Sequence, residues 1–308
     1  MGRALGMKKA FIVFNPKAGK ENRGDELRAT LASHFVPQGF ELELYETTGK
    51  EDVAEICRAA CARGVSLVVA AGGDGTLVGV ANGLKGSSVP LGILPLGSAN
   101  FMARALLIPL KLEEAVALLV GDHALAEVDA LESGGRWFFT NVGVGISPGI
   151  IKGTRPADKK LFGRLAYVIT MVRGSNIFQS HRYRLWLDGR LRSVLAAEVM
   201  VSNSTMLARP DSLFGLPESL SDGRLEVYAL STRTVGDYLR LARDLFLRSG
   251  TAAAKLSHWT AFRSVRIDSP RSSVLVQADG EVIGRTPVEI RMIPRAIRVV
   301  TPLGGMRK

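Results

Sequence analysis

Three glycines surround one carboxylate at residues 72–76, which read Gly-Gly-Asp-Gly-Thr. An apolar run, residues 65–71, precedes them, and an apolar-periodic run, residues 77–84, follows. This pattern predicts a strand buried on both faces, a glycine-rich turn and a helix. Backbone N–H groups at such a turn favour a bound phosphate. Asp74 would repel that phosphate unless a cation lay between them, so the turn predicts a nucleotide phosphate together with Mg²⁺.

Two further apolar runs also end in polar or glycine-containing turns. Residues 11–14 are followed by Asn-Pro-Lys-Ala-Gly-Lys at 15–20, and residues 89–96 by Gly-Ser-Ala-Asn at 97–100. In an open parallel sheet such turns gather at the carboxyl ends of the strands, where ligands bind. One turn alone would be explained equally well by a tight connection without a ligand. Its repetition favours a ligand site.

The pattern of the chain changes near residue 127. Before it, apolar strands alternate with helical segments, which predicts an α/β doubly wound nucleotide domain over residues 1–127. After it, short strand-like runs are separated by turns such as Asp188-Gly189 and Asp222-Gly223. The runs are residues 126–130, 136–142, 183–187, 195–201, 225–230, 264–267, 274–277 and 288–293. This predicts a mainly antiparallel β-sandwich domain over residues 128–294, with two helical segments near 160–173 and 235–247. The end of the chain, residues 295–308, is a candidate to complete the first domain.

The 308-residue chain has a formal net charge of +11. This excess suggests an anionic partner, which the charge alone does not identify: nucleic acid, an acidic membrane surface or a phosphorylated ligand. Basic and aromatic residues are not interleaved as in single-strand binders, so no nucleic acid is expected. The segment 235–247 could lie on an anionic bilayer, although packing on its own domain is favoured. A homodimer is left open.

Cys57 and Cys61 are the only cysteines, so a disulfide framework is excluded and a reducing compartment fits. The two cysteines and the four scattered histidines do not form a metal-ligand pattern. We interpret the two cysteines as small buried apolar residues. No run of eighteen apolar residues suggests a transmembrane segment. We therefore expect a cytoplasmic protein, with peripheral attachment at the inner membrane surface as an option.

Four motifs together resemble the catalytic family of diacylglycerol kinases, soluble lipid kinases that include bacterial and sphingosine kinase-like members. The motifs are residues 15–19, residues 72–76, the run Pro-Leu-Gly-Ser-Ala-Asn-Phe-Met-Ala-Arg at 95–104, and Asp-Gly-Glu at 279–281. The resemblance covers nearly the whole chain. It implies ATP and Mg²⁺ as cofactors, a lipid substrate at a membrane surface, and an active site between an α/β domain and a β-sandwich.

The resemblance also implies residue roles. Glu281 would be the general base that takes the proton from the lipid hydroxyl, with Asp279 orienting it or sharing that role, and Asp74 would help to hold the catalytic Mg²⁺. Without the resemblance, residues 279–281 would be a hairpin turn. The nucleotide-binding residues would be Asn15, Pro16, Lys17, Gly19, Thr47, Gly72, Gly73, Asp74, Gly75, Thr76, Ser98 and Asn100. A second, structural Mg²⁺ would bind the Asp222 carboxylate and the carbonyls of Ser219 and Arg224; an Asp-Gly hairpin explains that segment nearly as well.

Two departures from the family pattern bear on activity and substrate. Bacterial members usually have Thr-Gly-Asn-Asp where this chain has Ser-Ala-Asn-Phe at 98–101, so a carboxylate is missing at Phe101. A glycine-rich stretch expected after Asn203 reads Met-Leu-Ala-Arg at 206–209 instead. We therefore expect an ATP-dependent lipid kinase acting on a diacylglycerol-like or sphingoid hydroxyl. The alternatives are a NAD kinase and a nucleotide-binding regulator of the same fold without turnover.

Overall fold

The computed structural model describes residues 8–19, 23–146, 180–203, 220–231, 236 and 256–304. The chain divides into two compact units. The first comprises Met1–Val128 and Arg295–Lys308, and the second comprises Asp129–Pro294.

The first unit alternates strands and helices. Its elements are β1 (Lys8–Phe14), α1 (Gly24–Phe35), β2 (Phe40–Glu46), α2 (Val53–Ala62), β3 (Leu67–Gly72), α3 (Asp74–Gly83), β4 (Leu91–Pro95), α4 (Phe101–Ala105) and α5 (Leu112–Val120), followed by the first part of β5 (Ala124–Ser133). The strands are parallel in the order β2-β1-β3-β4. At the end of the chain, Val299 pairs with Leu91 of β4, also in parallel, and so extends this sheet.

Helices cover both faces of the parallel sheet, which explains why its central strands are apolar throughout. Alternate residues of β1, Ala10, Ile12 and Phe14, pack in one core with α1 and α5. The helices α2 and α3 pack together on the other side of β1 and β3. Their approach is close, because a Cβ added to Gly83 would lie 2.4 Å from Cβ of Cys57. All six residues of β3 are buried, as a strand covered on both faces requires.

The second unit consists of antiparallel strands in the described residues. They are the end of β5, β6 (Arg136–Phe138), β7 (Asn141–Gly145), β8 (His181–Leu187), β9 (Arg190–Ala196), β10 (Glu198–Ser202), β11 (Leu225–Leu230), β12 (Leu256–Ala261), β13 (Ser264–Asp268), β14 (Leu275–Ala278), β15 (Glu281–Arg285) and the first part of β16 (Val288–Thr301). Six form a sheet in the order β12-β11-β10-β7-β14-β15, and four pair in the order β16-β13-β8-β9. Valines and alanines at alternate positions of β7, β10, β11 and β14 are fully buried.

The predicted fold class, an α/β domain followed by a mainly antiparallel β domain, is confirmed. Several boundaries differ from the prediction. The predicted strand 136–142 is two strands, β6 and β7, and the predicted strand 195–201 spans the end of β9 and most of β10. The strands β12 and β15 were not predicted. Both new strands have mostly exposed or half-buried residues, so their apolar pattern is weak. The predicted helices at 160–173 and 235–247 lie outside the described residues, apart from Gly236. Across the described part of the chain, no helix is long and apolar enough to cross a membrane.

Candidate active site

The loops after β1 and β3 meet at the carboxyl edge of the parallel sheet. Here the connections from neighbouring strands leave to opposite faces, since α1 packs on one face and α3 on the other. An open α/β sheet binds ligands at such a switch point. The Asn15 side-chain amide donates to Oγ1 of Thr76 over 3.3 Å, and its backbone N–H donates to the Ala71 carbonyl over 3.0 Å. Two motifs 61 positions apart in sequence are therefore in contact.

Helix α3 begins at Asp74 with its amino end at this edge. Gly73 is the N-cap residue and, among the described residues, no side chain caps the helix. The first N–H groups of a helix have no partner within it, and the helix dipole favours an anion there. Gly75 lies on the exposed side of the turn, and a Cβ added to it would meet nothing within 4 Å. This arrangement leaves space for a phosphate at the helix start.

The turn after β4 packs directly against the turn after β3. A Cβ added to Gly97 would lie 2.5 Å from Cα of Gly73, so only glycine allows this approach. Asn100, with φ of 48°, closes the turn: its side-chain oxygen accepts from Gly97 N–H over 2.9 Å, and its amide donates to the Gly97 and Pro95 carbonyls over 2.8 and 3.3 Å. The Asn100 side chain thus shapes the turn, while Ser98 is exposed on it.

Asp74 is half-buried at the start of α3, and its carboxylate accepts a long hydrogen bond, 3.4 Å, from Met102 N–H. Within the described residues no three or more His, Cys, Asp or Glu side chains are grouped to hold a metal ion. A site with fewer than three such side chains suits Mg²⁺, which commonly binds one or two carboxylates and takes its other ligands from substrate phosphates and water. The donor set is thus compatible with Mg²⁺ that accompanies a nucleotide.

The loops after β1 and β2 also join at this edge. The Lys17 ammonium group donates a hydrogen bond to the Thr48 carbonyl over 3.1 Å, and Thr47 N–H donates to the Phe14 carbonyl over 2.8 Å. Thr47 and Thr48 precede α2 but do not cap it, because Asp52 is the N-cap of that helix. Thr48 instead hydrogen-bonds Glu51, and these bonds lower the pKa of Glu51 to about 2. Pro16 lies in the same turn, and Gly19, with φ of 82°, approaches the Leu96 carbonyl closely.

In the second unit, Asp279 and Gly280 form the two-residue turn between β14 and β15. Both have positive φ, 46° and 87°, as hairpin turns of this length favour. The Asp279 carboxylate accepts four hydrogen bonds from residues 139–141: the N–H groups of Phe139, Thr140 and Asn141 over 2.7, 2.9 and 3.1 Å, and the Thr140 hydroxyl over 2.5 Å. Burial raises the pKa of Asp279, and these hydrogen bonds oppose that shift. The carboxylate is therefore engaged in fixing the turn.

Glu281 follows this turn as the first residue of β15, and its side chain is 60% exposed. Its carboxylate lies 3.3 Å from the guanidinium of Arg136, which in turn lies over the Phe138 ring. Gln277 completes the anchoring of the turn, since its amide donates to Asn141 Oδ1 over 2.7 Å and its oxygen accepts from Gly280 N–H over 3.0 Å. Glu281 is thus accessible to solvent and follows a turn that the hydrogen bonds of Gln277 and Asp279 hold in place.

The segment proposed for a second metal ion lies before β11. Asp222 accepts from Arg224 N–H over 3.0 Å, and Gly223 N–H donates to the Asp129 carboxylate over 2.7 Å. Burial raises the pKa of Asp222, and the negative charges of Asp129 and Glu226 raise it further. A cation would relieve this concentration of negative charge. Ser219, the third proposed ligand, lies outside the described residues.

Sequence reasoning missed the partners that position the proposed base. Arg136 lies in β6, Gln277 in β14, and Thr140 between β6 and β7. Neither their types nor their spacing sets them apart from other polar residues of the second unit. Only the pairing of β14 with β7 and β15, and the fold of β6, brings them to the turn. No signal in one sequence would have selected them.

Comparison with known proteins gives matches along both units. Residues 9–132 match the diacylglycerol kinase catalytic domain, and residues 142–301 match the YegS C-terminal NAD kinase beta sandwich-like domain. A Bacillus subtilis protein named diacylglycerol kinase is 29% identical over 96% of this chain and 97% of its own length. A Pseudomonas syringae protein named "Probable lipid kinase YegS-like" is 35% identical over 94% of this chain and 95% of its own length. A crystal structure of a diacylglycerol kinase from Bacillus anthracis shares the fold, with a TM-score of 0.72, 23% identity and coverage of 97% of this chain and 98% of that chain.

Proposed function

The chain belongs to the family of diacylglycerol kinase-like lipid kinases, and on that premise we propose that it transfers the γ-phosphate of ATP to a lipid hydroxyl, diacylglycerol-like or sphingoid. The observation that carries this proposal is the contact of Asn15 with Thr76 at the carboxyl edge of the parallel sheet. It joins the loop after β1 to the uncapped start of α3. This edge is where an open α/β sheet binds a nucleotide.

The groups at the carboxyl edge of the first unit each have a defined role in this proposal. The α3 amino end and the glycine turns at 72–76 and 97–100 offer backbone N–H groups to phosphate oxygens. Lys17 lies on the same edge and supplies positive charge. Asp74 would hold Mg²⁺, which would supply positive charge to neutralise the charge that develops on the phosphates during transfer.

The second unit supplies the base. Glu281 is exposed and ionisable, and it accepts the proton that the lipid hydroxyl loses as the hydroxyl attacks phosphorus. Asp279 does not share the proton transfer, because its carboxylate is occupied by four hydrogen bonds that fix the turn. Its role is positional. We further propose that Asp222, with the carbonyls of Ser219 and Arg224, holds a structural Mg²⁺ in this unit.

The test is transfer of γ-phosphate from labelled ATP to a panel of lipids in mixed micelles: diacylglycerol, monoacylglycerol, phosphatidylglycerol, ceramide and sphingosine. Wild type is compared with Asp74→Asn and Glu281→Gln, and with the exposed carboxyl controls Asp122→Asn and Glu289→Gln. We expect one lipid class to be labelled, with a loss of about 10²-fold or more in Glu281→Gln and little change in the controls.

Two results would contradict the proposal. Label in NAD but in no lipid would identify a NAD kinase instead. ATP binding without transfer to any acceptor would identify a regulator that retains the fold. A Glu281→Gln variant with wild-type turnover would be consistent with kinase activity but would show that Glu281 is not its general base.

A further inference from the structure

Phe262 exposes 58% of its surface in the short turn between β12 and β13. Large aromatic side chains are normally buried in a domain of this size, and an exposed one on a fixed turn is typical of an interaction surface. Leu191 and Leu195, on β9, are also exposed, by 51% and 47%. Three of the large apolar side chains that the second unit exposes thus belong to β9 and this turn.

The Phe262 turn is held rigidly. The Asp188 carboxylate accepts hydrogen bonds from the N–H groups of Phe262, Arg263 and Ser264 over 2.8, 2.8 and 2.9 Å. Asp188 N–H donates to the Ser264 carbonyl over 3.0 Å, and Met292 N–H donates to the Arg263 carbonyl over 2.9 Å. Five hydrogen bonds therefore fix a turn whose aromatic side chain remains in solvent.

The same contacts join the Phe262 turn to the Asp188-Gly189 turn between β8 and β9. Beyond it, Trp186 of β8 pairs with Leu191 of β9. The guanidinium groups of Arg184 and Arg266 lie over the Trp186 ring, 5.5 and 5.6 Å from its centre. We call this surface the docking face: the outward side chains of β8, β9 and β13 together with the turns at 188–189 and 262–263.

The docking face is strongly basic. Segments 181–196 and 262–268 contain two carboxylates, Asp188 and Asp268. They contain six arginines. Strand pairing places Arg182, Arg184 and Arg266 on the face of Trp186 and Leu191, and Arg263 lies in the Phe262 turn. Arg190 and Arg192 pair with the buried Leu187 and Leu185 and so lie on the opposite face. Only Arg184 forms an ion pair among the described residues of these segments, with Asp268 at 2.5 Å. Apolar and aromatic side chains together with this excess of arginines over carboxylates match the chemistry of an anionic lipid surface.

The Phe262 turn of the docking face lies at the same end of the six-stranded sheet as the proposed base. Ala261, which precedes Phe262, pairs with Leu225 at the start of β11. The next strands place Ser202 opposite Glu226 and Asn141 at that same end. Asp279 N–H donates to the Asn141 carbonyl, so the turn that carries Glu281 closes this end of the sheet. From β12 to β14 there are four strand spacings, about 20 Å in all.

We propose that the docking face binds the surface of an anionic bilayer, with Phe262 and Leu191 entering the interface and the arginines contacting lipid phosphates. The inference rests on the proposed function, since it brings an enzyme that consumes a membrane lipid to its substrate. A bilayer held at this end lies at the edge that carries Glu281. The contact requires neither nucleotide nor turnover.

The experiment measures co-sedimentation of the full chain, without ATP, with vesicles of phosphatidylcholine alone or with added phosphatidylglycerol. Wild type is expected to bind the anionic vesicles and to lose binding at about 0.5 M salt, where surface charges are screened. Phe262→Ser should weaken binding about ten-fold or more, and Arg263→Glu/Arg266→Glu should do the same. The matched controls are Leu303→Ser, a leucine of the first unit that is 67% exposed, and Arg58→Glu on α2.

Wild-type binding by Phe262→Ser and by the arginine double variant would overturn the proposal, as would wild type that ignores anionic vesicles. If Phe262→Ser instead changes only the sedimentation of the free protein, the face is a protein–protein interface and the proposal is wrong. Should Phe262→Ser fail to fold by its circular dichroism, the arginine variant still decides. Phosphate transfer to a water-soluble, short-chain diacylglycerol distinguishes the docking proposal from the proposed kinase activity. The docking variants should retain this transfer. Absence of the transfer in wild type would count against the kinase activity and would not affect the vesicle result.

Discussion

The guanidinium of Arg136 lies 3.3 Å from the carboxylate of Glu281, although the two residues are 145 positions apart in the chain. Both side chains are more than half exposed, so the pair contributes little to the free energy of unfolding, about 0–1 kcal/mol. Its consequence is geometric. Arg136 holds the proposed base from one side, while Asp279 fixes the turn on which the base is carried.

Removing Arg136 should therefore affect turnover more than stability. We expect Arg136→Ala to lower kcat about three- to ten-fold with KM for ATP unchanged, and to change the free energy of unfolding by less than about 1 kcal/mol. Arg136→Lys should restore part of kcat, because the positive charge remains. Steady-state rates and urea unfolding measure both quantities. An unchanged kcat in Arg136→Ala would show that the pair does not position Glu281.

Asp279 should behave in the opposite way, with a large effect on stability. Asp279→Ala leaves four hydrogen-bond donors without their acceptor and should lower the free energy of unfolding by about 2–4 kcal/mol. Asp279→Asn should lose less, because asparagine tolerates positive φ and keeps one acceptor oxygen. Urea unfolding at neutral pH compares them. Equal stability of wild type and Asp279→Ala would contradict the anchoring role.

Substitutions in the two glycine turns of the nucleotide site should distinguish an effect on packing from an effect on ATP binding. Gly97→Ala places a Cβ 2.5 Å from Cα of Gly73, so we expect a loss of about 1–3 kcal/mol in the free energy of unfolding. Gly75→Ala meets open space in a helix and should leave stability unchanged or raise it by up to about 1 kcal/mol. The same Cβ would intrude where the phosphates are proposed to bind, so ATP affinity should fall. Calorimetric titration with ATP that finds wild-type affinity in Gly75→Ala would place the phosphates elsewhere.

The Asp188 turn predicts a pH dependence of stability. Burial of the Asp188 carboxylate raises its pKa, but the hydrogen bonds from residues 262–264 and the charge of Arg263 outweigh this effect. The pKa of Asp188 is therefore below its ordinary value. A lowered folded-state pKa stabilises the fold above the unfolded-state pKa of about 3.9, and this stabilisation is lost as the pH falls through the folded-state value. Wild type should exceed Asp188→Asn in stability at pH 7, and the difference should shrink towards pH 3. A pH-independent difference in unfolding free energy would refute the ionic contribution.

The two cysteines should differ in reactivity. Burial raises the pKa of Cys57 to about 12, and the neighbouring Cys61 adds to the shift. At pH 8 only about one Cys57 in ten thousand is a thiolate, so it should not react with a thiol reagent in the native protein. Cys61 is half-buried and should react. Titration should find one thiol per chain in buffer and two in denaturant; two reactive thiols in native protein would show that α2 opens.

The alternation of the first 127 residues determined the α/β layer, because buried parallel strands and amphipathic helices follow patterns that neighbouring residues express. Residues 77–84 were predicted as a helix, and α3 spans Asp74–Gly83. The carboxyl-edge motifs were also visible, since strand polarity places the turns after β1, β3 and β4 on one edge without any contact being known. Their roles toward ATP and Mg²⁺ remain predictions.

Tertiary structure alone decided which groups meet. The Thr48 hydroxyl hydrogen-bonds Glu51 rather than capping α2, because Asp52 occupies the N-cap position. Arg136 reaches Glu281, and Asp188 holds Phe262 exposed, through strand pairings that bring distant segments together. The strands β12 and β15 escaped prediction because their side chains are largely outside the core, and the hydrogen bonds that define them belong to partners elsewhere in the sheet. Local patterns record what each segment buries; which segments become neighbours depends on non-local pairing, which one sequence does not encode in its spacing.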